Sequence, residues 1–195
     1  MNVEYLNTII RNRRSVFPKD YTGERIDDKI ILQLLENANW APTHKLTEPW
    51  RFKVFCDEGL IVFAEFQAQK YHDRCFGKED YLEKKYHKLL NNPLKCSHII
   101  SIGMHYTNDT PIPETEEIAA VSCAVQNILL SAHAYGLGAY WTTGGVTYDD
   151  SSKSFFDLSN QDKLLGFIYL GVTSVEPTEG KRTNITDKVK WVRES

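Results

Sequence analysis

The chain has 195 residues, 42% of them hydrophobic, and a formal net charge of -3. That length supports one domain with a real core and at most one excursion from it. The mild acidity excludes a general nucleic-acid surface, and no apolar run reaches transmembrane length, so neither nucleic acid nor membrane is an expected partner.

Met1-Asn2-Val3-Glu4 lacks a signal-peptide pattern. Cys56, Cys75, Cys96 and Cys123 are scattered, with no CxxC, and read as reduced thiols. The expected location is therefore cytoplasmic, and no metal is expected, because Cys96 and His98 lack partners at zinc-ligand spacing.

Val3, Leu6, Ile9 and Ile10 predict a first helix over Val3–Arg11, followed by Arg13-Arg14-Ser15 and then Pro18. Asp27 or Asp28 is the expected cap of a second helix carrying Ile30, Ile31, Leu34, Leu35 and Ala38. Two prolines make Trp40–Pro49 an irregular loop. Trp50–Phe55 alternates apolar and charged residues, the pattern of a strand with one wet face. Residues 60–90 read as helix broken at Gly77, and His98–Tyr106 as a buried strand. A loop over Thr107–Pro113 leads to a long apolar helix, Glu114–Tyr135, with acids in its first turn and Gly136 as its stop. Ala139–Trp141 reads as a short strand, Thr142–Asp150 as a loop holding Gly144-Gly145, and Phe155–Leu158 as a short helix. Leu164–Val172 reads as a central strand, and the polar tail beyond it ends in the apolar pair Trp191-Val192. Long helices with few strands imply an α+β or three-layer α/β/α domain.

No GxSxG, Walker A or HExxH motif is present. Gly136-Leu137-Gly138 follows a helix and precedes a strand, the reverse of a dinucleotide fingerprint, and reads as a helix cap and tight turn. What remains is Arg13-Arg14-Ser15, His44-Lys45, Trp141–Gly145 and Lys181-Arg182. Arginine forks two donors toward an anion, and bare amides with hydroxyls suit a planar hydrogen-bonding ring. Such a set fits a ligand with a phosphate at one end and a ring at the other. It does not choose among a flavin mononucleotide, another nucleotide and a sugar phosphate.

Four segments in order resemble the nitroreductase family, the FMN-dependent NAD(P)H oxidoreductases. They are Arg13-Arg14-Ser15 after an opening helix, Ala41-Pro42-Thr43-His44-Lys45 through Trp50-Arg51-Phe52, Gln126-Asn127 through Ala139-Tyr140-Trp141, and Leu165–Gly171 with a basic residue after it. The His44-Lys45 pair is similar to the small bacterial members. The resemblance implies a mostly antiparallel central sheet flanked by helices, in an intertwined homodimer with FMN at each interface. It implies one domain over residues 1–195, with a helical lid at about 60–90 and a tail, 173–195, crossing to the partner subunit.

By position, Arg13, Arg14 and Ser15 are implied to hold the FMN phosphate and ribityl chain, with Arg182 and Lys181 completing the phosphate site. His44 is implied to reach the ring from the partner, and Trp141, Thr142 and Thr143 to lie along it. NAD(P)H is the implied transient hydride donor, and a nitroaromatic or quinone-like acceptor then takes its place in ping-pong order. No catalytic acid or base is named. Leu46 stands where many members have Asn, and Glu48 where they have Gln. Thr142-Thr143 replaces an Arg-Ser, which removes a cation from the ring side and makes Lys45 the candidate substitute. A flavin store or sensor, and a dehalogenase, enone reductase or flavin-converting enzyme on the same fold, stay open as alternatives.

Overall fold

The computed structural model describes residues 2–106, 112–176 and 178–193. Most of the expected loop over Thr107–Pro113 lies outside the described residues. The helices are α1 (Val3–Asn12), α2 (Asp28–Asn39), α3 (Glu58–Cys75), α4 (Glu83–Asn91) and α5 (Glu114–Ala134). The strands are β1 (Trp50–Cys56), β2 (His98–Met104), β3 (Leu137–Thr142) and β4 (Lys163–Val172). They form one sheet in the order β1-β2-β4-β3, antiparallel at each pairing. The expected α+β architecture, a central antiparallel sheet flanked by helices, is what the chain adopts.

The period of two along the strands sorts the core into two layers. Ile100, Ile102, Met104, Ile168, Leu170 and Ala139 point to the side covered by α2 and α5. Phe55, Ile99, Phe167 and Tyr169 point to the other side, where Phe63 and Leu60 of α3 meet Phe156 and Leu158. Helix α5 has Ala120, Val121, Ala124, Val125, Ile128 and Ala132 buried. Small residues at helical spacing let it lie close against both α2 and the sheet.

Helix starts and stops follow local chemistry. Asn2 caps α1 by accepting from the Glu4 and Tyr5 amides, and Asp27 caps α2 through the Lys29 amide. Gly136, at φ 71°, ends α5. Helix α1 ends at Asn12, and Arg13 is already extended at φ -57° and ψ 125°. The helical segment between β1 and β2 breaks near Gly77, as its pattern predicts, into α3 and α4.

Gly138 belongs to β3 and is no part of a turn, unlike the reading from the Gly-Leu-Gly triplet. It pairs with Gly171 across the β3–β4 ladder. The ring of Tyr21 lies over both glycines, so close that a Cβ on either would overlap it. The Tyr21 hydroxyl lies 2.9 Å from the carbonyl oxygens of Val16 and Tyr169 and donates to that pair. The Val16 amide donates to the Ala139 carbonyl at 3.1 Å, and the Thr22 amide to Val172 at 2.9 Å. The segment after α1 is thereby laid along the open edge of the sheet, which places Arg13, Arg14 and Ser15.

Candidate functional site

Two segments at opposite ends of the sequence meet at one cavity of about 980 Å³. Arg11, Arg13 and Arg14 come from the end of α1, and Thr178, Gly180 and Arg182 from the tail. Helix α5 contributes Gln126 and His133. Arg13 is held below the ordinary guanidinium value by burial first, then by the charges of Arg14 and Arg182. Burial and like charge thus act on Arg13 in the same direction. Glu176 and Glu179 also line the cavity, yet none of its arginines forms an ion pair with a carboxylate among the described residues. His133 is pushed below its usual value by burial and then by Arg13 and Arg14. The cluster is chemically suited to a dianion, which would relieve the mutual repulsion and accept forked donors.

The cations are not equivalent. Arg14 donates to three carbonyls, those of Arg11 at 2.6 Å, Arg13 at 2.7 Å and Thr178 at 3.2 Å. Arg182 donates to the carbonyl of Lys181 at 2.7 Å. Lys181 is exposed and does not line the cavity. Ser15 is exposed on the strand-like run beyond Arg14.

A second, smaller pocket of about 280 Å³ lies beneath α3 and α4, at the loop that follows β3. A bulge in β4 builds its rim. The β2–β4 register slips between Ile102 and Gly103, and Gly166 adopts φ 119°, a conformation open to glycine alone. The Trp141 indole donates to the Leu165 carbonyl at 3.0 Å, and a Cβ on Gly166 would overlap the Thr142 carbonyl. Trp141 and Thr142 are thus set by the bulge. Past them, the Gly144 amide donates to Thr142 Oγ1 at 3.3 Å, and Gly145 at φ 66° turns the chain.

The pocket walls are Tyr140, Thr142, Gly144, Gly145 and Tyr169, and its far side is Gln67, Lys85, Lys88, Leu89 and Asn92. Gln67 is 2% exposed and donates to the Leu89 carbonyl at 2.9 Å, tying α3 to α4. Burial pushes the Tyr140 phenol up to about 12 and the Tyr169 phenol higher still, so both are neutral donors at pH 7. Lys85 lies 4.7 Å from the centroid of the Tyr71 ring, and neither Lys85 nor Lys88 has a carboxylate partner among the described residues.

The third set stands apart. His44 sits in a tight turn with three non-glycine residues at positive φ nearby, Lys45 at 52°, Leu46 at 56° and Glu48 at 45°. Each costs roughly 1–2 kcal/mol and persists only where the surroundings impose it. Here they do. His44 Nδ1 lies 2.6 Å from Glu116, Thr47 donates to buried Glu117 at 2.9 Å, and the Glu48 amide donates to Thr43 Oγ1 at 3.2 Å. Two adjacent acids of the first turn of α5 clamp the loop, so that Leu46 is 80% exposed. Glu116 and His133 are 17 positions apart on α5, about 25 Å at 1.5 Å per residue. Within one chain His44 does not meet the arginine cavity.

The sequence singled out Arg13, Arg14 and Arg182, and the fold brings them together. It separates Lys181 from them, and of Trp141, Thr142 and Thr143 it sets Thr142 in the wall of the second pocket, with the other two as its neighbours in the chain. Reasoning from sequence missed Lys85, Lys88 and Gln67, which look like ordinary members of an amphipathic helical stretch. His133, one more polar residue on a long apolar helix, lines the cavity as well. No cluster of three or more metal-ligating side chains occurs among the described residues.

Comparison with known proteins bears on the family and the fold. A family model described as "Nitroreductase family" matches residues 10–172. YfhC of Bacillus subtilis, provisionally named an NAD(P)H nitroreductase, is 30% identical over 94% of this chain and 92% of its own. A crystal structure of a nitroreductase-like family protein from Bacillus cereus superposes with a TM-score of 0.81 at 26% identity, covering 97% of this chain and 96% of that one. A Desulfovibrio desulfuricans protein, crystallised with FMN and provisionally named a nitroreductase, shares the fold at 21% identity and a TM-score of 0.70, over 97% and 98% of the two chains.

Proposed function

The chain belongs to the nitroreductase family, and we propose that it is an FMN-dependent oxidoreductase, passing electrons from NAD(P)H to a small nitroaromatic or quinone-like acceptor. The observation that carries the cofactor assignment is the arginine cavity, where Arg13 is desolvated and repelled by Arg14 and Arg182. A terminal phosphate is the group those donors fit. Arg13 and Arg182 hold it in this reading, with Arg14 between them and Ser15 beside the chain that leads away. When bound, FMN supplies the redox chemistry, accepting hydride from a reduced nicotinamide and returning electrons to an acceptor.

The protein's own residues do the rest. Trp141, Thr142 and Thr143 offer an aromatic face and donors along a ring, and the bulge at Gly166 holds them in place. Lys85 and Lys88 answer the loss of an Arg from this loop, because they face Thr142 across the second pocket. They are better placed than Lys45, which is carried on the clamped loop far along α5. Cations there stabilise negative charge that develops on a ring. The arm α3–α4 serves as the lid, excluding water from that end.

The separation of His44 from the cavity supports its delivery by a second copy of the chain. Exposed Val3, Tyr5, Leu6 and Ile10 on α1, with Trp191 at 75% and Val192 at 85% exposure, offer that copy an apolar surface. A homodimer fits all three observations.

The test is the visible spectrum of the purified protein before and after anaerobic NAD(P)H. Two flavin bands that bleach, and recover on addition of a nitroaromatic or quinone, are the expected result. A preparation that neither holds nor binds flavin overturns the reading. Bound flavin that bleaches only over hours would make the protein a flavin store rather than an enzyme.

A further inference from the structure

Beyond Thr173, one side chain from outside the tail hydrogen-bonds to it among the described residues. Thr173 Oγ1 donates to the Asp20 carbonyl at 2.9 Å. After it, among the described residues, the tail's hydrogen bonds to anything outside itself come from Arg14 alone, through Nε to the Thr178 carbonyl at 3.2 Å. The same guanidinium donates from Nη1 to the Arg11 and Arg13 carbonyls. One planar group therefore bridges the end of α1 and the tail, its donors aimed in two directions at once. Gly180 packs flat on it, and a Cβ there would stand inside the guanidinium. Two residues on, Arg182 faces Arg13, close enough to lower its proton affinity. The charges of Arg13 and Arg182 repel one another, and among the described residues the hydrogen bond from Arg14 is the one that holds this part of the tail against that repulsion.

We infer that Arg14 is the latch that fixes residues 178–182 and so builds the tail's half of the anion site, while Arg13 and Arg182 meet the anion directly. All three hydrogen bonds of Arg14 go to neutral carbonyls, so its charge still adds to the cavity's field. It is a positioning residue that acts through the tail. Lysine cannot replace it, because an ammonium lacks the rigid fork that spans two segments. That the latched site serves the phosphate of FMN rests on the function proposed above; the latch itself is a property of this chain.

The experiment measures backbone order parameters of residues 178–182 by NMR in the flavin-free protein, together with FMN affinity by fluorescence titration. The variants are Arg14→Lys, Gly180→Ala and Arg182→Ala, with circular dichroism as the check on folding. Arg14→Lys keeps the charge and removes the fork. Gly180→Ala keeps Arg14 and removes its seat, which guards against a single variant that fails to fold. Both are expected to take the tail from rigid values near 0.85 to below about 0.6. Both are expected to weaken FMN about tenfold, the worth of one charge-assisted hydrogen bond. Arg182→Ala is expected to weaken FMN similarly while the tail stays ordered. A tail that remains rigid in Arg14→Lys and Gly180→Ala overturns the latch, whatever happens to FMN. A tail that loosens in a protein with no affinity for FMN upholds the latch and removes the flavin reading instead.

Discussion

The two cavities are built on different principles. The larger is a meeting of charges: arginines from residues 11–14 and 182, held near one another against repulsion, with the shape set by backbone carbonyls and one glycine. The smaller is a product of packing: two neutral phenols, a buried amide and a loop whose course is dictated by a bulge in the neighbouring strand. A site made of charge is lost by removing one side chain and is tuned by salt and pH. A site made of packing is lost by adding one methyl group and hardly responds to either. The contrast separates a site whose strength lies in its charges from one whose shape lies in its packing.

The largest effect separating the two ends is expected from Arg13→Ala. It should cost about 2–4 kcal/mol of FMN binding, roughly 30- to 1,000-fold, as for a truncated buried charge contact. The flavin-free melting temperature should hold or rise, because a repelled, half-buried cation has been removed; a large fall would make Arg13 a structural residue instead. Next comes Gly166→Ala. A side chain forced to φ 119° against the Thr142 carbonyl should lower stability by about 2 kcal/mol in urea unfolding. Sulfate binding at the arginine cavity should remain as in the wild type, which is the point of the comparison.

Smaller again is the double variant Lys85→Ala with Lys88→Ala. FMN affinity should change by less than about threefold, while the reduction potential of the bound flavin falls by about 30 mV, equivalent to 1.4 kcal/mol for two electrons. A strong loss of affinity with an unchanged potential would move these lysines from the ring end to a mere steering role. The smallest effect concerns His133. Its proton affinity is depressed in the free protein by burial and by Arg13 and Arg14. An anion offsets those charges and raises it, so binding takes up a proton. Affinity for sulfate, whose own charge is constant, should therefore rise as pH falls from 8 toward 5.5. The gain is limited to about tenfold per pH unit for one proton and levels off below the free-state value. In His133→Gln the profile should be flat. By the same linkage, the flavin-free protein keeps its full His133 contribution above about pH 6.5 and loses stability as the pH drops below that.

Most of the fold was legible because its signals are local. The apolar spacing of α1 and α5, the caps at Asp27 and Gly136, and the alternation in β1 each need only a window of a few residues. The charged end was legible for a related reason: Arg13, Arg14 and Arg182 are conspicuous as residues, even though their meeting is a tertiary fact. The other end was not. Lys85 and Lys88 carry no mark that distinguishes them from solvent-facing lysines, and only the fold of α4 over β3 turns them toward Thr142. Gly138 misled as part of a turn because its reason for being glycine is Tyr21, more than a hundred residues away. The strained loop at Lys45, Leu46 and Glu48 has no glycine to announce it. Its conformation is imposed by Glu116 and Glu117, which the sequence shows only as helix-start acids.

Helix α1 buries none of its residues in this chain. A helix of 10 residues is marginal in water by itself, since nucleation is costly and few hydrogen bonds follow it. Yet Arg11 lies in the last turn of this helix, and Arg13 and Arg14 follow directly from it. In the proposed homodimer, loading with flavin becomes a dilution-sensitive quantity: as association weakens, the apolar side of α1 is expected to lose its cover, the helix to fray and the arginines to scatter. The anion in turn holds the end of the helix and so favours the associated form. Cofactor retention and subunit exchange should rise and fall together, each reporting on the other, as two readings of a single equilibrium.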